Sequence, residues 1–272
     1  AFGSHVTLIE ALPRLLANMD RELSQNLSMI LKKRGVELVT DAAVERIEQI
    51  PDGLLCRFSH RGESASVQAD QLLIATGRRA DTEGLFADGL LIERDRGALR
   101  VNERFETSVP GIYAIGDAMA GGIQLAHAAS AQGENAVAAI CGEPMPVNLA
   151  AVPSCVYTDP EIASVGLTAD QAKERGIAVR VGKFLMSANA KSLLTAQERG
   201  FVKLVFDAQS EVLLGAQLMC ARATDLIGEL SCAVANGLTE TQLAHALRPH
   251  PTFCEAVTEA AEDAFGRAVH IL

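Results

Sequence analysis

The residues best equipped for chemistry lie near the end of the chain, in Pro249-His250-Pro251-Thr252-Phe253-Cys254-Glu255. Prolines on both sides of His250 restrict its backbone and so limit where the imidazole can point. Glu255 stands five residues further on, within reach of one ring nitrogen. A carboxylate there fixes the tautomer and leaves the other nitrogen to exchange protons, as in a general acid–base pair. A second reading fits the same letters. T-x-x-E is a capping box, in which Glu255 satisfies the first backbone donor of a helix. Spacing alone favours the capping box, and the two are compatible, since a capped helix can present the pair.

Two more carboxylates sit at the ends of apolar runs. Asp117 closes Ile112-Tyr113-Ala114-Ile115-Gly116-Asp117, part of a predicted buried strand over 112–118. A helix is predicted next, over 124–140, with small residues at its start. The carboxyl end of a strand in an open α/β sheet is where nucleotide-type ligands sit, and the following helix N-terminus carries partial positive charge. Gly116-Asp117 is equally an ordinary turn pair. Glu10 ends the short strand VTLIE (6–10). In a dinucleotide-binding βαβ unit an acidic residue there hydrogen-bonds the adenine ribose, and it repels the extra phosphate of NADP. Taken alone it is only a strand-end carboxylate. The glycine fingerprint belonging about 20 residues upstream falls before residue 1.

Composition narrows the classes. The 272 residues suffice for about two domains, and 49% of them are apolar. A net charge of −10 argues against a nucleic-acid partner, which needs a basic surface. No apolar run approaches the ~20 residues that span a bilayer, and residues 1–10 lack the basic start of a secretory signal, so a soluble, cytoplasmic protein is expected. Cys56, Cys141, Cys155, Cys220, Cys232 and Cys254 form no close pair. No metal site and no redox dithiol is expected from that spacing.

The elements follow from periodicity and turn residues. Leu23, Leu27, Ile30 and Leu31 share one face of a predicted helix over 20–35 that ends at Gly35. Strands are predicted over 36–40, 44–50 and 54–59, with Pro51-Asp52-Gly53 as the turn between the last two, and a further strand over 67–76. Residues 78–111 read as loops and short strands. From about residue 150 antiparallel strands are predicted in CVYTDPEIASVGLT, GFVKLVFD and EVLLGAQLMC, the last two joined by a turn at 207–210. Helices over 223–237, 239–247 and 252–266 complete an α+β unit, its sheet covered by helices on one side.

Together these pieces resemble the class I pyridine nucleotide–disulfide oxidoreductases over essentially the whole chain. TSVPGIYAIGDA (107–118) looks like the second flavin-binding motif, and IATGRRADTEGL (74–85) like the segment leading back from the nicotinamide domain. VPSCVYTDPEIASVGLT (152–168) resembles the opening of the interface domain, and H-P-T-x-x-E the acid–base signature. The dihydrolipoamide dehydrogenase branch is the best match, because Glu10 suits NAD and His250 is present. One departure is Arg248-Pro249-His250, where that branch usually reads H-A-H.

The resemblance implies an α/β plus α+β architecture. Partial Rossmann-like NAD-binding (1–79) and FAD-binding (80–149) domains would precede an α+β interface, or dimerisation, domain (150–272). It implies His250 and Glu255 as catalytic residues, Gly116, Asp117 and Ala126 at FAD, and Glu10, Val44 and Gly77 at NAD. It implies a homodimer in which the histidine serves the partner's disulfide, and a lipoyl-bearing subunit of a 2-oxoacid dehydrogenase complex as partner, in a role tied to cell redox homeostasis. The first flavin βαβ unit, the redox cysteine pair and the start of the NAD domain have no counterpart here. The sequence therefore reads as a C-terminal fragment, inactive by itself. The alternatives are a non-catalytic dimerisation module, or a relative acting on another disulfide.

Overall fold

The structure, a computed structural model, describes residues 2–271. Strand β1 (Thr7–Ile9), helix α1 (Arg21–Lys33) and strand β2 (Glu37–Val39) form a β-α-β unit, with Leu8 opposite Leu38 in a parallel pair. The helix forms where the apolar period predicted it. Leu23, Leu27 and Ile30 are buried on one face, the Asp20 side chain accepts from Glu22 N–H, and Lys32 and Lys33 lie in the last turn, where cations suit the helix dipole. Gly35, at φ +84°, turns the chain into β2.

An antiparallel meander follows: β3 (Ala42–Ile50), β4 (Gly53–His60) and β5 (Glu63–Ala69). Gly53 has φ +127°, and a Cβ there would sit 2.6 Å from the Ala69 carbonyl oxygen, so the turn requires glycine. The strand predicted over 67–76 stops at Ala69. Residues 70–76 are irregular, with Leu73 89% and Ile74 67% exposed. Their apolar run reads as a buried strand, but a strand needs a ladder partner, and no described strand pairs with it.

The chain divides into two compact units. One is residues 74–152, and the other joins everything up to Leu73 with everything from Pro153 on. The 74–152 unit holds the short pair β6 (Arg94–Asp95) and β7 (Ala98–Leu99) and helix α2 (Ala126–Cys141), closed by Gly142 in the left-handed conformation. Ile92, Leu99 and Ala114 form its core, with Phe86, Val101 and Ile112 against them. The strand predicted over 112–118 does not form. Tyr113 makes a single bridge to Glu106, and Gly116–Ala118 is one 3-10 turn. Ala114 and Gly116 are buried as predicted, yet no adjacent strand turns that burial into a ladder.

The rest of the other unit is built from β8 (Ser154–Val156), β9 (Glu161–Gly166), α3 (Ala169–Glu174), β10 (Val179–Leu185), α4 (Ala190–Leu194), β11 (Phe201–Asp207), β12 (Leu213–Cys220), α5 (Ala223–Ala235), α6 (Glu240–Ala244) and α7 (Glu255–Asp263). The strands form one antiparallel sheet in the order β10-β11-β12-β9-β8. Residues 169–199, unassigned from sequence, supply its edge strand β10.

Helices cover this sheet on both faces, not one. Alternate residues of β11 point opposite ways. Phe206 meets Phe265 just beyond α7, ring centroids 5.9 Å apart. Phe201 joins Ile162 and Met219 in a core with Leu23, Leu27 and Ile30 of α1. Lys203, on the Phe201 side, reaches Asp20 Oδ2 at 2.8 Å and Glu22 Oε2 at 3.3 Å. The buried stripe of α1 is thus matched by an apolar sheet face, and its acidic first turn by a lysine.

Candidate functional site

Helix α7 sits directly on β10. A Cβ on Gly182 would lie 1.9 Å from the Ala260 carbonyl oxygen, so glycine permits the approach, and Asp263 Oδ2 accepts from Lys183 N–H at 2.8 Å. The sheet thereby fixes the helix whose first residue is Glu255.

One Glu255 carboxylate serves both readings of the P-H-P-T-x-x-E segment. Oε1 lies 2.8 Å from His250 Nδ1, and Oε2 accepts from Thr252 N–H at 2.8 Å. The second half of the capping box does not form among the described residues, where Cys254 is the N-cap and Thr252 Oγ1 donates to the Pro249 carbonyl at 2.7 Å. That bond folds the Pro-His-Pro segment back on itself, and the His250–Pro251 peptide is cis. The imidazole is 71% exposed and Glu255 29%. With Nδ1 engaged by the carboxylate, Nε2 remains to exchange a proton with a ligand.

Asn189, which sequence reasoning missed, secures the segment from beneath. It is buried, caps α4 by accepting from Ser192 N–H at 2.9 Å, and donates from Nδ2 to the Thr252 carbonyl at 3.0 Å. An Asn three residues before Ser192 reads as a helix cap. Its link to Thr252, 63 positions away, is purely tertiary.

In the 74–152 unit the structure gathers Gly116, Asp117 and the start of α2 at Ala126. Gly116 has φ +64°, and a Cβ there would meet the Ala129 Cβ at 3.1 Å. Its N–H donates to Gln132 Oε1 at 2.7 Å, a buried bond that ties the turn to α2. Asp117 Oδ2 lies 3.0 Å from Arg78 Nη1, while Arg78 Nη2 donates to the Gln124 carbonyl at 2.6 Å. No described side chain caps the N-terminus of α2. Gln132 and Arg78 were not singled out from sequence. A glutamine among alanines in a helix and an arginine after Gly77 are weak signals without the contacts.

Glu10 directly follows β1, and its Oε1 accepts from Leu12 N–H at 2.8 Å. Val44 lies on β3 of the same unit, half exposed. Gly77 belongs to the 74–152 unit, in irregular backbone at φ +102°. Among the described residues no three His, Cys, Asp or Glu side chains converge as metal ligands, and no helix is long and apolar enough to cross a membrane.

Residues 1–133 match the pyridine nucleotide-disulphide oxidoreductase family profile, and residues 152–261 match that family's dimerisation domain. A dihydrolipoyl dehydrogenase of Bacillus subtilis (strain 168) is 39% identical over 273 residues, which is 100% of this chain and 58% of that protein. One from Thermus scotoductus is 40% identical, across 99% of this chain and 59% of that protein. Among solved structures, LpdA of Mycobacterium tuberculosis superposes with a TM-score of 0.87 at 28% identity, over 96% of this chain and 56% of that one. The HOCl-induced flavoprotein disulfide reductase RclA of Escherichia coli gives 0.83 at 28%, over 96% and 60%. The chain spans less than two thirds of the length of these relatives. With two profiles of one family along most of its length, the chain belongs to the pyridine nucleotide-disulphide oxidoreductases.

Proposed function

We propose that this chain carries the acid–base half of a dihydrolipoamide dehydrogenase, which converts dihydrolipoamide and NAD+ to lipoamide and NADH. The observation that carries the reading is the single Glu255 carboxylate that binds His250 Nδ1 and Thr252 N–H together. Closing the substrate disulfide sends a hydride equivalent to NAD+ and releases one proton. His250 takes that proton at Nε2 from the substrate thiol, and Glu255 orients the ring and balances its positive charge.

The residues at the α2 turn suit a flavin. Gly116 lets backbone approach closely, Asp117 offers a carboxylate to polyol hydroxyls once Arg78 yields it, and the uncapped helix start at Ala126 presents N–H donors. FAD, when bound, would supply the two-electron relay between dithiol and NAD+. Glu10 keeps one oxygen beyond its bond to Leu12 for the NAD ribose hydroxyls, with Val44 and Gly77 as further NAD contacts. In this reading residues 1–79, 80–149 and 150–272 are the NAD, FAD and dimerisation parts. The last pairs two chains, and the assembly serves a lipoyl-bearing subunit of a 2-oxoacid dehydrogenase complex. Six cysteines without a disulfide suit a reducing cytoplasm.

A second reading, a reductase for another disulfide, draws support from the likeness to the E. coli disulfide reductase. A chimera tests both. This chain replaces the matching 58% of the B. subtilis enzyme, and reduction of NAD+ by dihydrolipoamide is followed. Turnover is expected, with His250→Gln lowering kcat by roughly 10²–10⁴-fold. Equal turnover by the His250→Gln chimera would remove the acid–base assignment. A flavin-loaded chimera that works only on other disulfides would favour the second reading.

A further inference from the structure

His250 is held by little packing, since its ring is mostly exposed. Its direction therefore comes from its own backbone and from one carboxylate, and whatever fixes Pro249 relative to α7 decides whether Nδ1 meets Glu255. Directly before Pro249 stands Arg248, whose side chain is 5% exposed. Nη1 donates to the carbonyls of Leu243 at 3.1 Å and Ala246 at 3.0 Å, at the C-terminal end of α6, and to Thr258 Oγ1 of α7 at 2.7 Å. Nη2 is paired with Glu229 of α5. Nε is buried with no partner among the described residues, so the guanidinium sits where its two Nη groups need it rather than where every donor is met. A planar fork can bridge carbonyls, a hydroxyl and a carboxylate on three helices at once, which a lysine point charge cannot.

We propose that Arg248 is a positioning residue for the acid–base pair. By bolting the chain just before Pro249 to α5, α6 and α7, it keeps the His250 ring in the one place where Nδ1 bonds Glu255. The inference rests on reading His250 and Glu255 as that pair. Released from Arg248, the Pro-His-Pro segment shifts over α7, and the exposed imidazole returns to the Nε2–H tautomer of unconstrained imidazole.

Nitrogen-15 histidine spectra of the 272-residue chain, recorded above the imidazole titration range, read the tautomer directly, and His250→Gln identifies the signal. The parent should show His250 as Nδ1–H, with Glu255→Gln marking the effect of a lost carboxylate. Arg248→Met should make Nδ1–H the minority form while the backbone amide spectrum stays folded. Glu229→Gln and Thr258→Val each remove one arm, so they decide the matter if Arg248→Met does not fold. A parent without Nδ1–H overturns the acid–base reading and the role of Arg248 with it. A parent with Nδ1–H that persists in the folded Arg248→Met, Glu229→Gln and Thr258→Val chains overturns Arg248 alone. A lower melting temperature with an unchanged tautomer is the mark of a purely structural arginine.

Discussion

Glu255 closes a helix entrance and orients a histidine with the two oxygens of one carboxylate, so its removal has two effects at once. Glu255→Ala should lower stability in urea by about 1–2 kcal/mol through the orphaned Thr252 N–H, besides freeing the ring. A second histidine is tied to the same helix one turn on. His270 Nδ1 lies 2.6 Å from Glu259 Oε1, and Glu259 Oε2 accepts from the N–H groups of Val269 and His270. The bond to Glu259, then its charge, raises the His270 pKa above 6.5, with Glu255 and Glu262 adding to it. Burial pushes the Glu259 carboxyl up, but the His270 ring bond and the backbone donors outweigh it and bring the carboxyl below 4.5. The raised imidazole contributes stability in full below 6.5 and loses it as pH rises through its folded value. The lowered carboxyl contributes above 4.5 and loses it as pH falls through its own. The clamp is therefore strongest between 4.5 and 6.5. A proton-NMR titration should place the His270 midpoint above 6.5, and Glu259→Gln should return it towards that value. Cys220 offers a further check. Burial, then the Glu161 charge, pushes its thiol up to about 12, which leaves roughly one thiolate in ten thousand at pH 8. Iodoacetamide should label exposed Cys141 and Cys232 in the native chain, and Cys220 only after unfolding.

At the scale of elements, the close seating of α7 on β10 carries the site. Gly182→Ala inserts a methyl 1.9 Å from the Ala260 carbonyl oxygen and 2.6 Å from Ala264 N, so helix and strand must part. Overpacking costs about 1–3 kcal/mol, and backbone on backbone belongs at the top of that range. A urea melt should lose about 3 kcal/mol. Where sequence reading went astray, it took an apolar run for a strand. Residues 70–76 and 112–118 are apolar enough for a sheet, but a ladder needs a neighbour, and a one-dimensional pattern cannot supply one. β10 was missed for the opposite reason. Gly182 and Lys183 interrupt its apolar alternation, and its place is set by pairing with β11.

For the molecule as a whole, unit boundaries do not follow the chain. The core that joins α1 to Phe201, Ile162 and Met219, and the charge cluster of Lys183 and Lys203 with Asp20 and Glu22, bind residues before 74 to residues after 152. Lys203 is mostly buried against Asp20, and breaking such a pair strands a charge. Lys203→Ala should destabilise the chain by about 3 kcal/mol in a thermal melt, with α1 amides losing hydrogen-exchange protection first.

Local pattern determined a good deal of this protein. α1 and its cap, the Pro51-Asp52-Gly53 turn, the hairpin of β11 and β12, and the helices near the end are legible because period, cap and turn chemistry act over a few residues. The segment from Pro249 to Glu255 was legible as two readings, since spacing shows that Glu255 can reach but not where its oxygens go. Tertiary structure alone decided that one oxygen meets His250 Nδ1 and the other Thr252 N–H. It alone set Asn189 under Thr252, Arg248 across three helices, Arg78 on Asp117, and α1 on the second face of the sheet. Each of these depends on side chains tens of residues apart meeting in space, where burial and hydrogen-bond satisfaction, not sequence neighbourhood, select the partner.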